Sequence, residues 1–326
     1  MENTKDLSKK NSVVFMGTPE YAVEILKSLL ENGIIIKSVI TAPDKRSGRG
    51  QKLKNSHVKE FAIKNNLKIM QPKNLKEKSF ITKLTNLKAD LFVVVAFRML
   101  PEVVWQIPPK GTINLHASLL PNYRGAAPIN WAIINGEKIT GVTTFFIEKE
   151  IDTGKIIDQS SVDIGENENF KSLYNKLIKI GAKTLIKTVT DIFNNNVKTT
   201  PQKNLIKSSD KKAPKIFKDD CRINFNQSVK NVHDFCRGLS PYPGPWIKFT
   251  DKKSNEIKTM KIFESKTTNI LTDNSNFISK NENGLLFPCI DYYLQISEIQ
   301  IQGKRKMNFK DFLSGNNINN IKIINI

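Results

Sequence analysis

A chain of 326 residues exceeds the usual size of one domain, so two domains are expected, each burying its own core without disulfide staples. The 51 Lys+Arg against 31 Asp+Glu leave a net charge of +20, which attracts polyanions and speaks to association rather than fold. Lys- and Asn-rich runs such as Asn194–Asn196 and the tail Asn316–Ile326 are what a compositional drift would also produce, so the charge alone identifies no partner.

Several classes are set aside at this level. Cys221, Cys236 and Cys289 are odd in number and form no C-x-x-C pair, which points to reduced thiols in a cytoplasmic protein. His57, His116 and His233 lie outside helical or finger spacing of one another and of any cysteine, so no metal centre is expected. Residues 1–11 carry Glu2 and Asp6 without an apolar core and read as a disordered tail rather than a leader. The apolar run Leu91–Phe97 is far shorter than the ~20 residues of a membrane span.

In chain order, the strand Val13–Met16 leads through Gly17-Thr18-Pro19-Glu20 into a helix with apolar Ala22, Ile25, Leu26 and Leu29. Thr18 is its expected cap, Pro19 its first residue, and Gly33 its stop. The turn has neither the three spaced glycines of a dinucleotide site nor the Gly-Lys-Ser/Thr of a P-loop, which argues against NAD and ATP. Strands follow at 34–41, 67–70, 91–97, 112–115 and 141–147, alternating with helices at 58–65, 79–87, 127–135 and 170–193. This alternation predicts an α/β, Rossmann-like domain with a parallel sheet, residues 1–193. Residues 194–209 lack an apolar period and read as a linker. Beyond it, short segments at 222–225, 246–249, 258–263 and 285–296, separated by Pro, Gly, Asn and Asp, predict a small OB-like β-barrel over 210–326.

The chemistry concentrates in Asn114-Leu115-His116-Ala117-Ser118-Leu119-Leu120-Pro121. Alternate side chains of a strand share a face, so Asn114 and His116 stand together. An amide donor beside an imidazole at the carboxyl end of such a strand suits the oxyanion of a tetrahedral intermediate. Asp152, in Glu150-Ile151-Asp152-Thr153-Gly154, is the best candidate to orient the imidazole. On these residues alone a second reading stays open: a satisfied half-buried histidine and an aspartate capping a turn.

The length of the match goes further. Asn114–Gly125 with Ala126–Ile129, Thr140–Thr143 and Ile151–Gly154 closely resembles the folate-dependent formyltransferases. So do Phe15–Pro19, Pro43–Lys45 with Gly48–Gly50, Ala213–Ile216 and Pro241–Trp246, and almost the whole chain is covered. The resemblance implies Asn114, His116 and Asp152 as catalytic residues, and 10-formyltetrahydrofolate as co-substrate. It places the folate against Ser118, Leu119, Leu120, Pro121, Phe97 and Arg98. Where the family commonly has Ala-Tyr-Gly-Leu-Ile-Leu-Pro, this chain has Ala96-Phe97-Arg98-Met99-Leu100-Pro101, one residue shorter, with Arg98 near the usual glycine.

Asp44–Lys54 carries five basic residues against one acidic, ordinarily a solvated loop. The resemblance makes it an insertion that contacts the tRNA acceptor stem through Arg46, Arg49 and Lys52. Residues 1–205 hold 31 basic and 19 acidic residues, net +12; residues 206–326 hold 20 and 12, net +8. The basic loop and the Pro-Tyr-Pro-Gly-Pro-Trp second domain together fit the branch whose acceptor is initiator methionyl-tRNA, acting as a cytoplasmic monomer. A formyltransferase for an amino sugar or other small amine, or a non-catalytic RNA-binding relative, are the alternatives.

Overall fold

The computed structural model describes residues 11–47, 52–208, 210–251, 256–273, 278–318 and 321–324. The expected tail over 1–11 lies outside them except for Asn11, as do residues 48–51, Arg49 among them. The chain forms two compact units, one of residues 1–124, 141–161 and 177–211, the other of 125–140, 162–176 and 212–326.

The first stretch runs β1 (Ser12–Gly17), α1 (Glu20–Glu31), β2 (Ile35–Ile40), β3 (Lys45–Ser47), β4 (Lys52–Lys54), α2 (His57–Lys64), β5 (Ile69–Met70), α3 (Lys78–Thr85), β6 (Leu91–Val95), α4 (Glu102–Trp105) and β7 (Thr112–His116). It continues through β8 (Arg124–Gly125), α5 (Pro128–Ile134), β9 (Ile139–Phe146), β10 (Ile156–Asp163) and α6 (Phe170–Phe193). Seven strands make one sheet in the order β10-β9-β7-β6-β1-β2-β5. Every residue of β1 and β6 is buried, as expected of central strands covered on both faces. Helix α1 presents Tyr21, Ala22, Ile25, Leu26 and Leu29 as its buried stripe.

Two expectations need correction. Pro19, not Thr18, is the cap residue of α1, and it makes no side-chain cap bond; Glu20 in the first turn is left to favour the positive helix end. The sheet is mixed rather than wholly parallel: β1, β2, β5, β6 and β7 pair in parallel, but β9 runs antiparallel to β7, with His116 opposite Thr143. A helix between two strands normally signals a crossover. Here α5 belongs to the second unit, and the chain re-enters the sheet at the end from which it left.

The second unit contains β11 (Lys212–Ala213), α7 (Val229–Leu239), β12 (Trp246–Asp251), β13 (Ile257–Leu271), β14 (Ser279–Asn281), β15 (Gly284–Pro288), β16 (Tyr292–Ile301), β17 (Met307–Asn308), α8 (Phe309–Gly315) and β18 (Ile321–Ile324). Its sheet is antiparallel, ordered β14-β15-β16-β13-β12-β18 with β17 on β16; among the described residues β14 and β18 do not close it, which makes a half-barrel. The expected strand at 222–225 is reduced to a bridge between Arg222 and Trp246, while Ile223 and Phe225 enter the core. The expected 285–296 strand is the hairpin β15–β16.

Helix α7 is absent from the sequence reading. Ser228 caps it by accepting from the Asn231 N–H, and it buries Val229, Val232, Cys236 and Leu239. It also buries charge: Asp234 accepts from Arg237 Nε at 2.7 Å and pairs with Lys230, and Arg237 Nη1 donates to the carbonyls of Gly165 and Glu168 at 3.2 and 2.7 Å. Such charges persist in an interior only when paired and hydrogen-bonded. The three cysteines are free thiols and buried; burial pushes Cys289 up to about 12.

His233, 3% exposed, sits 2.9 Å through Nδ1 from Ser265 Oγ. Burial, reinforced by Arg237, pushes its pKa down to about 4 from 6.5. The neutral form is therefore favoured by the fold: its contribution is full above pH 6.5 and is lost progressively as pH falls toward 4. Chemical unfolding of the wild type should show this loss across that window, and His233→Gln should flatten it. An unchanged pH dependence in His233→Gln would remove His233 as its source.

Candidate active site

Strands β6 and β7 are parallel neighbours with Val94 opposite Asn114, so the chain leaving β6 at Ala96–Arg98 emerges beside His116. Leu115 approaches Gly181 of α6; by the alternation of a strand, Asn114 and His116 face the other way. Asn114 is half-buried, and its carboxamide has no hydrogen-bond partner among the described residues. His116 is 6% exposed.

The two nitrogens of His116 have different surroundings. Nε2 lies 2.8 Å from the carbonyl oxygen of Tyr123. A carbonyl only accepts, so Nε2 carries a proton. Nδ1 faces Asp152 Oδ2 at 3.8 Å, a separation for a bridging water rather than a direct bond. With Nε2–H fixed, Nδ1 is the ring nitrogen left to face the carboxylate.

Asp152 reaches that position on an unusual backbone, with φ +55°. The left-handed region is tolerated by Asp but needs support. Two residues on, a Cβ on Gly154 would lie 1.7 Å from the Phe146 carbonyl oxygen, so only glycine fits. Thr153 Oγ1 donates to Glu150 O at 3.1 Å. Gln202 Nε2 donates to the carbonyls of Asp152 and Gly154 at 3.0 and 2.8 Å. Gln202 lies in the segment read from sequence as a linker.

The 118–122 loop is fastened from within. Thr143 Oγ1 donates to Ser118 O at 2.7 Å and accepts from Leu120 N at 3.1 Å; Gln159 Nε2 donates to Leu120 O and Thr143 Oγ1, both at 2.9 Å. The Ser118 hydroxyl donates to Asn122 O at 2.6 Å and is fully buried. Leu120 packs with Phe145 and Ile156. The side chains of Ser118 and Leu120 therefore shape the loop, and half-buried Leu119 and Pro121 are left to form its wall.

The Ala96–Pro101 segment starts with φ +47° at Ala96. Arg98 donates through Nη1 to Lys73 O at 2.9 Å and through Nη2 to Pro72 O, with its guanidinium 5.6 Å from the Phe97 ring centroid. These bonds fasten the loop to residues 72–73; partial burial lowers the Arg98 pKa. The tie extends further. Gln71 Nε2 donates to Ala42 O and Asp44 Oδ1, both at 2.8 Å, and Lys59 Nζ donates to Asp44 Oδ2 at 2.5 Å. The bonds from Lys59 and from Gln71 hold the Asp44 carboxyl below its usual range. Asp44 anchors the base of the β3–β4 hairpin, in which Arg46 pairs with Leu53 and Ser47 with Lys52. Arg46 is exposed.

Among the described residues no group of three or more His, Cys, Asp or Glu could hold a metal, and no helix is long and apolar enough to cross a membrane.

Comparison with known proteins places the chain in a family. The Formyl transferase domain matches residues 10–189 and the Formyl transferase C-terminal domain residues 215–317. A methionyl-tRNA formyltransferase of Bacteroides fragilis is 45% identical over 313 residues, 93% of this chain and 94% of its own. That of Flavobacterium johnsoniae is 46% identical over 311 residues, 94% and 96% of the two chains. The chain belongs to the methionyl-tRNA formyltransferase family. The fold extends beyond that family. A sugar 3N-formyl transferase crystallised in the presence of dTDP and 5-N-formyl-THF aligns with a TM-score of 0.64 at 24% identity, covering 91% of this chain and 99% of its own. HypX from Aquifex aeolicus in complex with tetrahydrofolic acid aligns at 0.60 and 17% identity, over 93% of this chain and 47% of that one.

Proposed function

We propose that this enzyme transfers the formyl group of 10-formyltetrahydrofolate to the amino group of methionine on initiator methionyl-tRNA, as a monomer in the cytoplasm. Residues 1–193 hold the chemistry and 210–326 contribute a second basic surface for the RNA. The observation that carries the reading is the Asn114, His116 and Asp152 cluster in a chain so similar to named methionyl-tRNA formyltransferases along its length.

The residues beside the cluster fit a flat pterin. Phe97, Leu119 and Pro121 are half-buried apolar surfaces, Met99 is 67% exposed, and loop backbone groups supply hydrogen bonds. When bound, 10-formyltetrahydrofolate supplies the electrophilic formyl carbon. Asn114 donates its amide N–H to the formyl oxygen as negative charge develops there. His116, its Nε2–H held by Tyr123, is a second donor to that oxygen when Nδ1 is protonated. Asp152 stabilises that protonated ring and, through water, takes the proton lost by the attacking amine. It passes that proton to N10 of the folate as the bond from the formyl carbon to N10 breaks, so that tetrahydrofolate leaves as a neutral amine. No side chain forms a covalent bond to substrate. Placement of both reactants at attack distance supplies several kcal/mol of the barrier.

Arg46, Arg49 and Lys52 contact the acceptor end of the tRNA. Replacing all three with alanine should weaken tRNA binding and lower the log–log salt slope by about 2 units, from loss of three phosphate contacts. Affinity and slope both unchanged would make the hairpin a bystander.

The deciding assay is formyl transfer from 10-formyltetrahydrofolate to initiator methionyl-tRNA, with free methionine and uncharged tRNA as controls. Formylation confined to the charged tRNA establishes the function. Tight tRNA binding without transfer, or transfer to small amines instead, overturns it.

A further inference from the structure

We infer that Gln202 is a positioning residue for the His116–Asp152 pair, an amide brace that fixes both sides of the imidazole at once. The inference rests on the catalytic reading above and adds a residue to it.

Gln202 is 2% exposed, although it lies in a polar stretch with no apolar period. Its Oε1 accepts from Arg124 Nε at 3.0 Å and from Arg124 Nη2 at 2.6 Å, while its Nε2 donates to Asp152 O at 3.0 Å and Gly154 O at 2.8 Å. Both lone pairs and both protons of the carboxamide are therefore used. The orientation of the amide follows from its partners: a guanidinium only donates and a carbonyl only accepts. No other side chain of this length offers two acceptor sites at one corner and two donors at the other.

The four bonds join the two segments that surround His116. Arg124 follows Tyr123, whose carbonyl accepts the hydrogen bond from Nε2–H. Asp152 faces Nδ1. Gln202 thus ties the segment setting the tautomer to the segment carrying the carboxylate. The Asp152 segment needs that tie, because Asp152 holds φ +55° and sits 3.8 Å from the ring, where a small displacement changes the bridging geometry.

The test compares wild type, Gln202→Met, Gln202→Glu, Asp152→Asn and the Gln202→Met/Asp152→Asn double variant, in single-turnover formyl transfer and in steady state, with Tm measured for each. Gln202→Met should lower kcat by about 10–100-fold while KM for tRNA and for folate stays near wild type. Gln202→Glu, which keeps the Arg124 contact but loses both donors, should lose activity in the same way. If Gln202 acts through Asp152, its replacement adds little to the loss already caused by Asp152→Asn. A wild-type kcat in either Gln202 variant, an equal fold-loss in the Asp152→Asn background, or failure of both Gln202 variants to fold would overturn the assignment. Full turnover in Asp152→Asn would instead sink the catalytic reading of the pair itself.

Discussion

Replacing His116 with alanine is expected to lower kcat for formyl transfer by roughly 10²–10⁴-fold while leaving tRNA affinity essentially unchanged. The size follows from what the ring does. With Nε2 committed to the Tyr123 carbonyl, the proposed mechanism leaves Nδ1, which faces the Asp152 carboxylate at 3.8 Å, as the nitrogen that meets the reacting groups. Alanine removes the donor and leaves Asp152 facing a void. The tRNA contacts proposed on the β3–β4 hairpin involve other side chains, so binding and chemistry should separate. Parallel measurement of single-turnover formylation and equilibrium tRNA binding makes the separation visible. Undiminished turnover would take His116 out of the mechanism.

Gly154→Ala should be nearly as damaging by a different route. A methyl group 1.7 Å from the Phe146 carbonyl oxygen is impossible, and the obstacle is backbone, so no rotamer change relieves it. The 150–155 turn must move. That movement breaks the Gln202 bond to Gly154 O and carries Asp152 off His116. The expected result is destabilisation of ~1–3 kcal/mol together with about 10²-fold loss of kcat from misplacement of the carboxylate. Thermal unfolding with steady-state kinetics tests both parts. A variant with wild-type Tm and kcat would show that the turn accommodates the methyl group and that the position of Asp152 is not critical.

Much of the first unit was legible because its strands are apolar runs bounded by Gly and polar turns, and its helices carry a 3.6-residue stripe. The reversal of β9 was not, since local periodicity carries no strand direction; that came from pairing with β7 far along the chain. In the second unit the hydrophobic segments were visible, but α7 interleaves His233, Asp234 and Arg237 with its apolar residues, and buried polar groups look like surface until their partners are known. At the site, Asn114, His116 and Asp152 stood out by residue type and motif. Tyr123 acts through its carbonyl, which no side chain reports. Gln202 lies among Lys, Asn and Thr in a stretch with no apolar signal, and its burial comes from satisfying backbone groups of distant residues. Thr143 was visible only as part of a motif; its role in fastening the loop needed the β7–β9 register.

The chain changes compact unit at 124/125, 140/141, 161/162, 176/177 and 211/212. No single cut in the chain therefore separates the two units. Severing it within 194–209 would strand the α5 segment with the wrong fragment, parting Asn130 from the Gly238 carbonyl it donates to at 2.8 Å, and Trp131 from that of Pro214, also at 2.8 Å. Gene fusion or recombination that swaps only the tail would therefore need matching changes in α5 and in residues 162–176, which ties the evolutionary fate of the C-terminal half to segments lying inside the N-terminal one.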